Sequence, residues 1–342
     1  MTMHDRTQSN NRQVSIIIPL FNRERFIGDT IDSIKNQTYG NFECIIIDDH
    51  STDESLNTAR KYAEQDDRFV VRKRSSATKG APACRNEGVA MAAGNYLMFL
   101  DSDDLLADHC LEERVALFQE HPEKDFIVTQ IGIFKEDSSK ITHYWNDLDG
   151  NDDVISFLRS NGWQTSSTFF RAEFVRQFKY DEEASSWQDI EFHLHILLTQ
   201  PDYVKIKDND PHVYIRRADT RIGMKATNKE SFFRSVEMRF LLMGKIESEM
   251  SPEQRKKYET HLRMFYLYYL ETFAVTNDSP AHLDELMKLY RKSISYRKSS
   301  ILSGIFKFYL HRENSIVIKI LRRGVRLVVP MNPLKSRAVP VS

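Results

Sequence analysis

Two acidic clusters in this chain each follow an apolar run. Tyr96 to Leu106 reads YLMFLDSDDLL, so the apolar stretch stops on Asp101, Ser102, Asp103 and Asp104. Cys44 to Ile47 runs in the same way into Asp48, Asp49, His50 and Ser51. Carboxylates two positions apart repel each other unless a cation lies between them, and hard oxygen ligands suit Mg²⁺ or Mn²⁺. Asp101 and Asp103 are therefore candidate metal ligands, for an ion that would also hold a substrate phosphate. Taken alone, the same residues suit a solvated turn in which Asp103 or Asp104 caps the next helix.

Elements that could position such clusters follow from periodicity. Val14 to Ile18, Cys44 to Ile47, Phe69 to Val71, Tyr96 to Leu100 and Phe126 to Phe134 read as strands. Between them, Phe26 to Ile34 and the segment with Leu56, Ala59 and Ala63 carry helical spacing, and Ala81 to Ala93 reads as a helix with Gly94 as its cap. Strands alternating with helices predict a mostly parallel α/β sheet, whose ligands bind beyond the carboxyl ends of the strands. Ser51 or Asp53 is placed to cap the helix after the second strand. No GxGxxG follows the first strand, where Pro19-Leu-Phe-Asn-Arg stands instead, and no Walker A sequence occurs. That disfavours a dinucleotide-dependent dehydrogenase. A nucleotide could still be held by the Pro19 to Asn22 loop and Asp49, with a metal at Asp101 and Asp103 neutralising its diphosphate.

Three stretches, taken in order, resemble the family 2 inverting glycosyltransferases of GT-A fold: VSIIIPLFNRERFIGDTIDSIKNQTYGNFECIIIDDHSTDES, GAPACRNEGVAMAAGNYLMFLDSDDLL and TSSTFFRAEFVRQFKYDEEASSWQDIEFHLHI. Together they span Val14 to Ile196. The resemblance implies that Pro19, Phe21 and Asn22 belong to the nucleotide pocket, that Asp49 contacts a uracil-type base, and that Arg85 approaches the diphosphate. Asp101 with Asp103 becomes the family's metal-binding D-x-D, and Asp189 in Trp187-Gln188-Asp189 becomes the catalytic base. One carboxylate must take the proton of an acceptor hydroxyl as its oxygen attacks the anomeric carbon. The chain departs from the family at Gln188, which replaces an acidic neighbour, and at His195, where relatives often carry Arg. Glu191 is the first alternative base. His193 and His195 lie two apart on different helix faces, so they do not suit a metal pair. The Gln-x-x-Arg-Trp motif of processive members is absent, which implies one sugar per encounter. Trp145, Trp163, Thr165, Ser166 and Ser167 fall where the family's acceptor pocket is expected, although tryptophans more commonly serve the core. One of Arg216 and Arg217 would close over the diphosphate, a solvated charged face being the equal alternative.

The 342-residue length allows a GT-A catalytic region at 13–229, after a tail at 1–12, and a helical region at 230–300 in which strand-like runs disappear. From 301 to 342 eight Lys or Arg face one acid, a local charge of +7 against −8 elsewhere. Within 315–329, Lys319, Arg322, Arg323 and Arg326 line one helix face and Ile316, Val317, Ile320 and Leu321 another. That predicts either a helix packed on the catalytic region or a basic amphipathic helix lying on anionic membrane. A formal net charge of −1 argues against a nucleic-acid partner. Cys44, Cys84 and Cys110 are odd in number and fit no zinc or disulfide spacing, which suits a reducing compartment. The polar start lacks the apolar core of a signal peptide and no run reaches spanning length, so a cytoplasmic protein is expected, with the sequons at Asn36 and Asn277 arising by chance. The acids at Asp147, Asp149 and Asp153 imitate a calcium loop, but the glycine is misplaced and Leu158 stands where the closing Glu belongs.

The expected protein is thus a metal-dependent, inverting transferase that moves one sugar from a nucleotide-diphosphate donor, UDP-sugar favoured, to a glycan or lipid-linked acceptor in surface polysaccharide assembly. The rival is a non-catalytic sugar or lipid-carrier binding protein on the same fold. A nucleotidyltransferase would want a glycine-rich loop after the first strand, which is missing.

Overall fold

The computed structural model describes residues 14–135, 137–138, 140–145, 148–159, 162–207, 210–217, 229–276, 280–293 and 339–340. The N-terminal tail, the basic segment 315–329, Asp147 and Asn277 lie outside the described residues.

A seven-stranded sheet forms the centre. Its first strands are β1 (Val14–Leu20), β2 (Phe42–Asp48), β3 (Phe69–Lys73) and β4 (Tyr96–Phe99), which pair in parallel in the order β4-β1-β2-β3. Every residue of β1 and β2 is buried, as a strand covered on both faces requires. Alternation sorts their side chains: Ile16, Ile18, Cys44 and Ile46 face one core, whereas Ile17, Ile45 and Ile47 face the other. The first core is closed by α1 (Ile27–Lys35) and α4 (Cys110–Glu120), with α2 (Ser55–Ala63) at the sheet's edge. The second is closed by α3 (Ala81–Met91) and by the helices that come later in the chain.

Two expectations are corrected here. Phe126 to Phe134 is not one strand, because the chain changes sheet at the buried Gln130. Residues Phe126–Thr129 form β6 of the large sheet, and Ile131–Phe134 form β7 of a smaller one. Periodicity cannot reveal such a switch, since both halves are equally apolar. Nor does Gly94 cap α3, which ends at Met91 with Ala92 extended. A Cβ at Gly94 would lie 2.6 Å from Ser15 Oγ and 2.8 Å from Ser15 N, so glycine is required there for close approach to β1.

The small sheet contains β5 (Leu105–Leu106), β7, β8 (His143–Tyr144), β11 (Val213–Arg216) and β12 (Val339–Pro340). The large sheet is completed by β9 (Thr168–Arg171), antiparallel to both β4 and β6, and by β10 (Tyr203–Ile206). Residues 101–104 therefore cross from the large sheet to the small one. Two short helices, α5 (Asp153–Leu158) and α6 (Ala172–Val175), precede α7 (Gln188–Leu198). Beyond it, α8 (Lys229–Glu249), α9 (Pro252–Thr276) and α10 (Pro280–Lys292) form the expected helical region. Their apolar faces join the second core: Phe240, Met243, Phe265 and Leu270 belong to one continuous cluster with Phe99, Phe192 and Leu194. No helix among the described residues is long and apolar enough to cross a membrane.

Candidate active site

The carboxyl ends of β1, β2 and β4 open into a cavity of about 330 Å³, lined by Pro19, Leu20, Phe21, Arg23, Asp49, Gly80, Ala81, Cys84, Arg85, Asp101, Ser102, Asp103, Gln188 and Asp189. Seven of the eight residues proposed for nucleotide, metal and base are among them, from five separate segments of the chain.

On the nucleotide side, backbone register does the positioning. Leu20 pairs with Asp48, and the Asp49 N–H donates to Leu20 O at 2.8 Å. The carboxylate of Asp49 accepts from the buried Arg74 and, at 2.9 Å, from the Gly80 N–H. Phe21 is 49% exposed at the cavity mouth, a flat apolar face of the kind a base can stack on. Asn22 is placed differently from its expected role. It adopts φ 50°, its Oδ1 accepts from Thr52 N at 2.9 Å, and its N–H donates to Ser51 Oγ at 3.1 Å, so it ties the β1 loop to the β2 loop without lining the cavity. Ser51 caps no helix, since α2 begins at Ser55, while Asp53 accepts from the first-turn Ser55 N–H at 3.0 Å.

Asp101 and Asp103 both face the cavity, and neither Asp103 nor Asp104 caps a helix, since α4 begins at Cys110. Burial, and then the charge of Asp101, raise the Asp103 carboxyl above the usual range against the pull of Arg23, whose Nε lies 3.2 Å from Asp103 Oδ2. Both carboxylates border a cavity open to an ion, and hard oxygens of this kind fit Mg²⁺ or Mn²⁺. Asp104 has another task. It is buried, its carboxylate accepts from Arg216 N at 3.0 Å, and burial followed by the charges of Asp101 and Asp103 pushes its carboxyl well up. Arg216 reaches away from the cavity to Asp103 O and Asp29 Oδ2, at 3.1 and 2.9 Å, so it clamps the acidic turn onto α1.

Arg85 joins the metal side to the base side. Its Nη2 is 2.8 Å from Asp101 Oδ1, and its Nη1 is 3.3 Å from Asp189 Oδ1 and 3.4 Å from Gln188 Oε1. Burial works against its charge, but Asp189 and Asp101 outweigh that and hold the guanidinium protonated, beside the face of Tyr180 at 5.1 Å. Gln188 thus supplies a neutral acceptor to Arg85 where the family has an acid.

Asp189 occupies the first turn of α7, its side chain about one-third exposed to the cavity. Trp187 before it holds φ 67°, a left-handed conformation costing a non-glycine residue about 1–3 kcal/mol. Packing sustains it: the indole ring lies 5.1 Å from Phe265 of α9. Glu191 is not a base in reserve, because it is buried and its Oε1 lies 2.7 Å from His195 Nε2. His195 also meets Glu249 of α8 at 2.5 Å; burial opposes its protonation, but the two carboxylates raise its pKa. His193 is buried within a ring cluster with Phe157 and Trp163, and burial lowers its pKa to about 4.

The residues expected to meet the acceptor are placed elsewhere. Trp163 is 5% exposed among Phe126, Phe157, His193 and Tyr203, and Thr165 and Ser166 are buried, the carbonyl of Ser166 accepting from Arg114 Nη2 at 2.9 Å. None of the three lines the cavity. Their match to the place of the family's acceptor pocket suggested a role there; Trp163 instead belongs to the core, and Thr165 and Ser166 are buried. Arg23, Arg74, Gly80 and Tyr180 were missed by the sequence reading. Only the placement of Arg23 in the loop after β1 and of Gly80 before α3 could have signalled a role, whereas the contacts of Arg74 and Tyr180 are purely tertiary.

A mostly parallel sheet with one antiparallel strand, an acidic turn at its central strand end and a carboxylate on a facing helix are features of the GT-A fold. Residues 15–182 match the family model described as glycosyl transferase family 2, and the chain belongs to that family. Among curated relatives it is 24% identical over 318 residues to the minor teichoic acid biosynthesis protein GgaB of Bacillus subtilis, covering 89% of this chain and 35% of GgaB. It is 40% identical over 126 residues to the poly(ribitol-phosphate) β-N-acetylglucosaminyltransferase TarP of Staphylococcus aureus, covering 36% of this chain and 37% of TarP. The match thus spans little more than a third of either relative. In fold it is similar to S. aureus TarS 1–349, solved with UDP-GlcNAc, at TM-score 0.56 and 17% identity over 91% of this chain and 92% of that one. It is also similar to the mannosyltransferase PcManGT of Pyrobaculum calidifontis, solved with GDP-Man and Mn²⁺, at TM-score 0.52 and 16% identity over 91% and 86%.

Proposed function

We propose that this protein transfers a single sugar, with inversion, from a nucleotide-diphosphate donor to a hydroxyl of a glycan or lipid-linked acceptor in surface-polymer assembly. The observation that carries this reading is the convergence of Asp49, Arg85, Asp101, Asp103 and Asp189 on one cavity. Phe21 and Asp49 take the base, and a UDP-sugar is favoured because a carboxylate can accept the uracil N–H. Asp101 and Asp103 would hold Mn²⁺ or Mg²⁺, which when bound supplies positive charge to the diphosphate. Arg85 adds its own charge to the leaving group. Asp189, on the opposite wall, takes the acceptor proton as the hydroxyl attacks from the face away from the diphosphate, and a single displacement inverts the anomeric carbon. The names of GgaB and TarP support an acceptor of the teichoic acid class. Segment 315–329, by its charge and apolar stripe, would bring the enzyme to an anionic membrane surface where lipid-linked acceptors reside.

The test is calorimetric titration of UDP-, GDP- and dTDP-sugars with Mn²⁺ and with chelator, followed by NMR of the product's anomeric configuration. Tight metal-dependent binding of one UDP-sugar and an inverted product are expected. Retention of configuration, or no donor binding under any condition, would refute the proposal.

A further inference from the structure

Behind the acidic turn, away from the catalytic cavity, three side chains from distant parts of the chain converge. His109 is the N-cap residue of α4, Glu113 lies one turn along that helix, and His212 immediately precedes β11. His212 Nε2 is 2.9 Å and His109 Nε2 3.8 Å from the same oxygen, Glu113 Oε2, and the three atoms lie within 4.8 Å of one another. Asp210 Oδ2 lies 3.7 Å from His109 Nε2 at the edge of this cluster. The two imidazoles meet edge to face, 5.7 Å between ring centres.

His109 Nε2 is itself buried and has no hydrogen-bond partner, since 3.7 and 3.8 Å exceed hydrogen-bond range. Those separations suit a different interaction. Ligand atoms about 2.0–2.1 Å from a tetrahedral Zn²⁺ stand roughly 3.3 Å apart, and 2.9 and 3.8 Å bracket that spacing. Two imidazoles with a carboxylate are also the donor set that favours a borderline transition metal over Mg²⁺. The backbone holds the site in shape, as the His212 N–H donates to Gln130 O at 3.2 Å and the Ala107 N–H to His212 O at 3.1 Å.

We propose that His109, Glu113 and His212 form a second metal site that takes Zn²⁺, with the fourth position left to a solvent ligand. This site is separate from Asp101 and Asp103 and does not depend on the function proposed above. Its role follows from its place. His212 leads directly into the pairing of Val213 with Leu106, so an ion there fastens α4 to the β5–β11 ribbon that carries the acidic turn.

The test uses the full-length, tag-free protein carrying Asp101→Ala and Asp103→Ala, so that the catalytic pair cannot contribute. After stripping with chelator and dialysis, one equivalent of Zn²⁺ per chain should bind, the thermal midpoint should rise, and Co²⁺ in place of Zn²⁺ should give the intense visible absorption of a tetrahedral site. Adding His109→Gln or Glu113→Gln, both at partly exposed positions that tolerate the change, should weaken Zn²⁺ binding at least tenfold and abolish the Co²⁺ band. Absence of a stoichiometric equivalent in the Asp101→Ala, Asp103→Ala protein, or equal affinity after both glutamine changes, would show that Glu113 and His212 are only a hydrogen-bonded pair.

Discussion

The two walls of the catalytic cavity are built on different principles. The nucleotide wall is made of strand ends: Pro19, Asp49 and Asp101 sit where β1, β2 and β4 stop, and ladder register fixes their relative positions. The base wall is one helix start, and its position is set by side chains that arrive from far along the sequence. Phe265 supports Trp187, Glu249 pairs with His195, and Lys245 pairs with Asp181 in the loop before α7. Backbone pairing fixes which residues stand opposite one another through the ladder register. A helix held by side-chain contacts is only as well placed as its packing. Arg85 links the two walls, so a change in either is transmitted through one guanidinium.

Breaking the nucleotide wall should have the largest effect. Asp101→Ala with Asp103→Ala is expected to abolish transfer and metal-dependent donor binding, while the circular dichroism spectrum and melting cooperativity stay those of a folded chain. Undiminished transfer in the presence of chelator would remove the metal from the scheme. Asp189→Asn comes next. It should lower kcat by about 10²–10⁴ with donor affinity unchanged, as loss of a general base does. A loss expressed in donor Kd would instead make Asp189 part of the nucleotide wall.

Smaller effects sharpen the contrast. Asp49→Asn should weaken donor binding about tenfold, or ~1.4 kcal/mol, with metal and with chelator alike, leaving kcat intact; calorimetry that finds no change takes Asp49 out of base recognition. Phe265→Leu lies far from the nucleotide, yet should reduce kcat several-fold without moving donor KM, because it loosens Trp187 and with it the start of α7. Equal effects on both parameters would mean that α9 supports the whole cavity.

A pH dependence also reports on the base wall. Burial lowers the folded pKa of His193 to about 4, whereas the unfolded imidazole titrates near pH 6.5. On acidification the unfolded chain takes this proton first, so the stability contributed by neutral His193 is full above pH 6.5 and is lost as the pH falls toward 4. The loss is about 3 kcal/mol across that window. Urea denaturation at stepped pH should show one proton's slope that His193→Gln lacks; identical slopes would assign it to other groups.

Legibility in the sequence followed the same division. Asp49, Asp101 and Asp103 could be read because an apolar run that breaks on acids records a strand end locally. Asp189 needed the family's pattern, since a first-turn acid before an apolar helix has no distinguishing local mark. Trp163, Thr165 and Ser166 misled because a place in the family's pattern does not say whether a side chain turns to the cavity or into the core. Asn22 was read as a ligand contact, and its hydrogen bonds tie two loops together.

By itself, then, the sequence determined the alternating strands and helices, the sorting of Ile16, Ile17 and Ile18 to opposite cores, the helical nature of 229–292 and the acids at the strand ends, all of which depend on neighbours within a few residues. Only the tertiary structure decided the sheet change at Gln130, the engagement of Asp49 by Arg74, the bridging of Asp101 and Asp189 by Arg85, and the meeting of His109 with His212. Those contacts join residues 16 to more than 100 positions apart, and hydrophobic periodicity, which repeats every two or 3.6 residues, carries no information at that range.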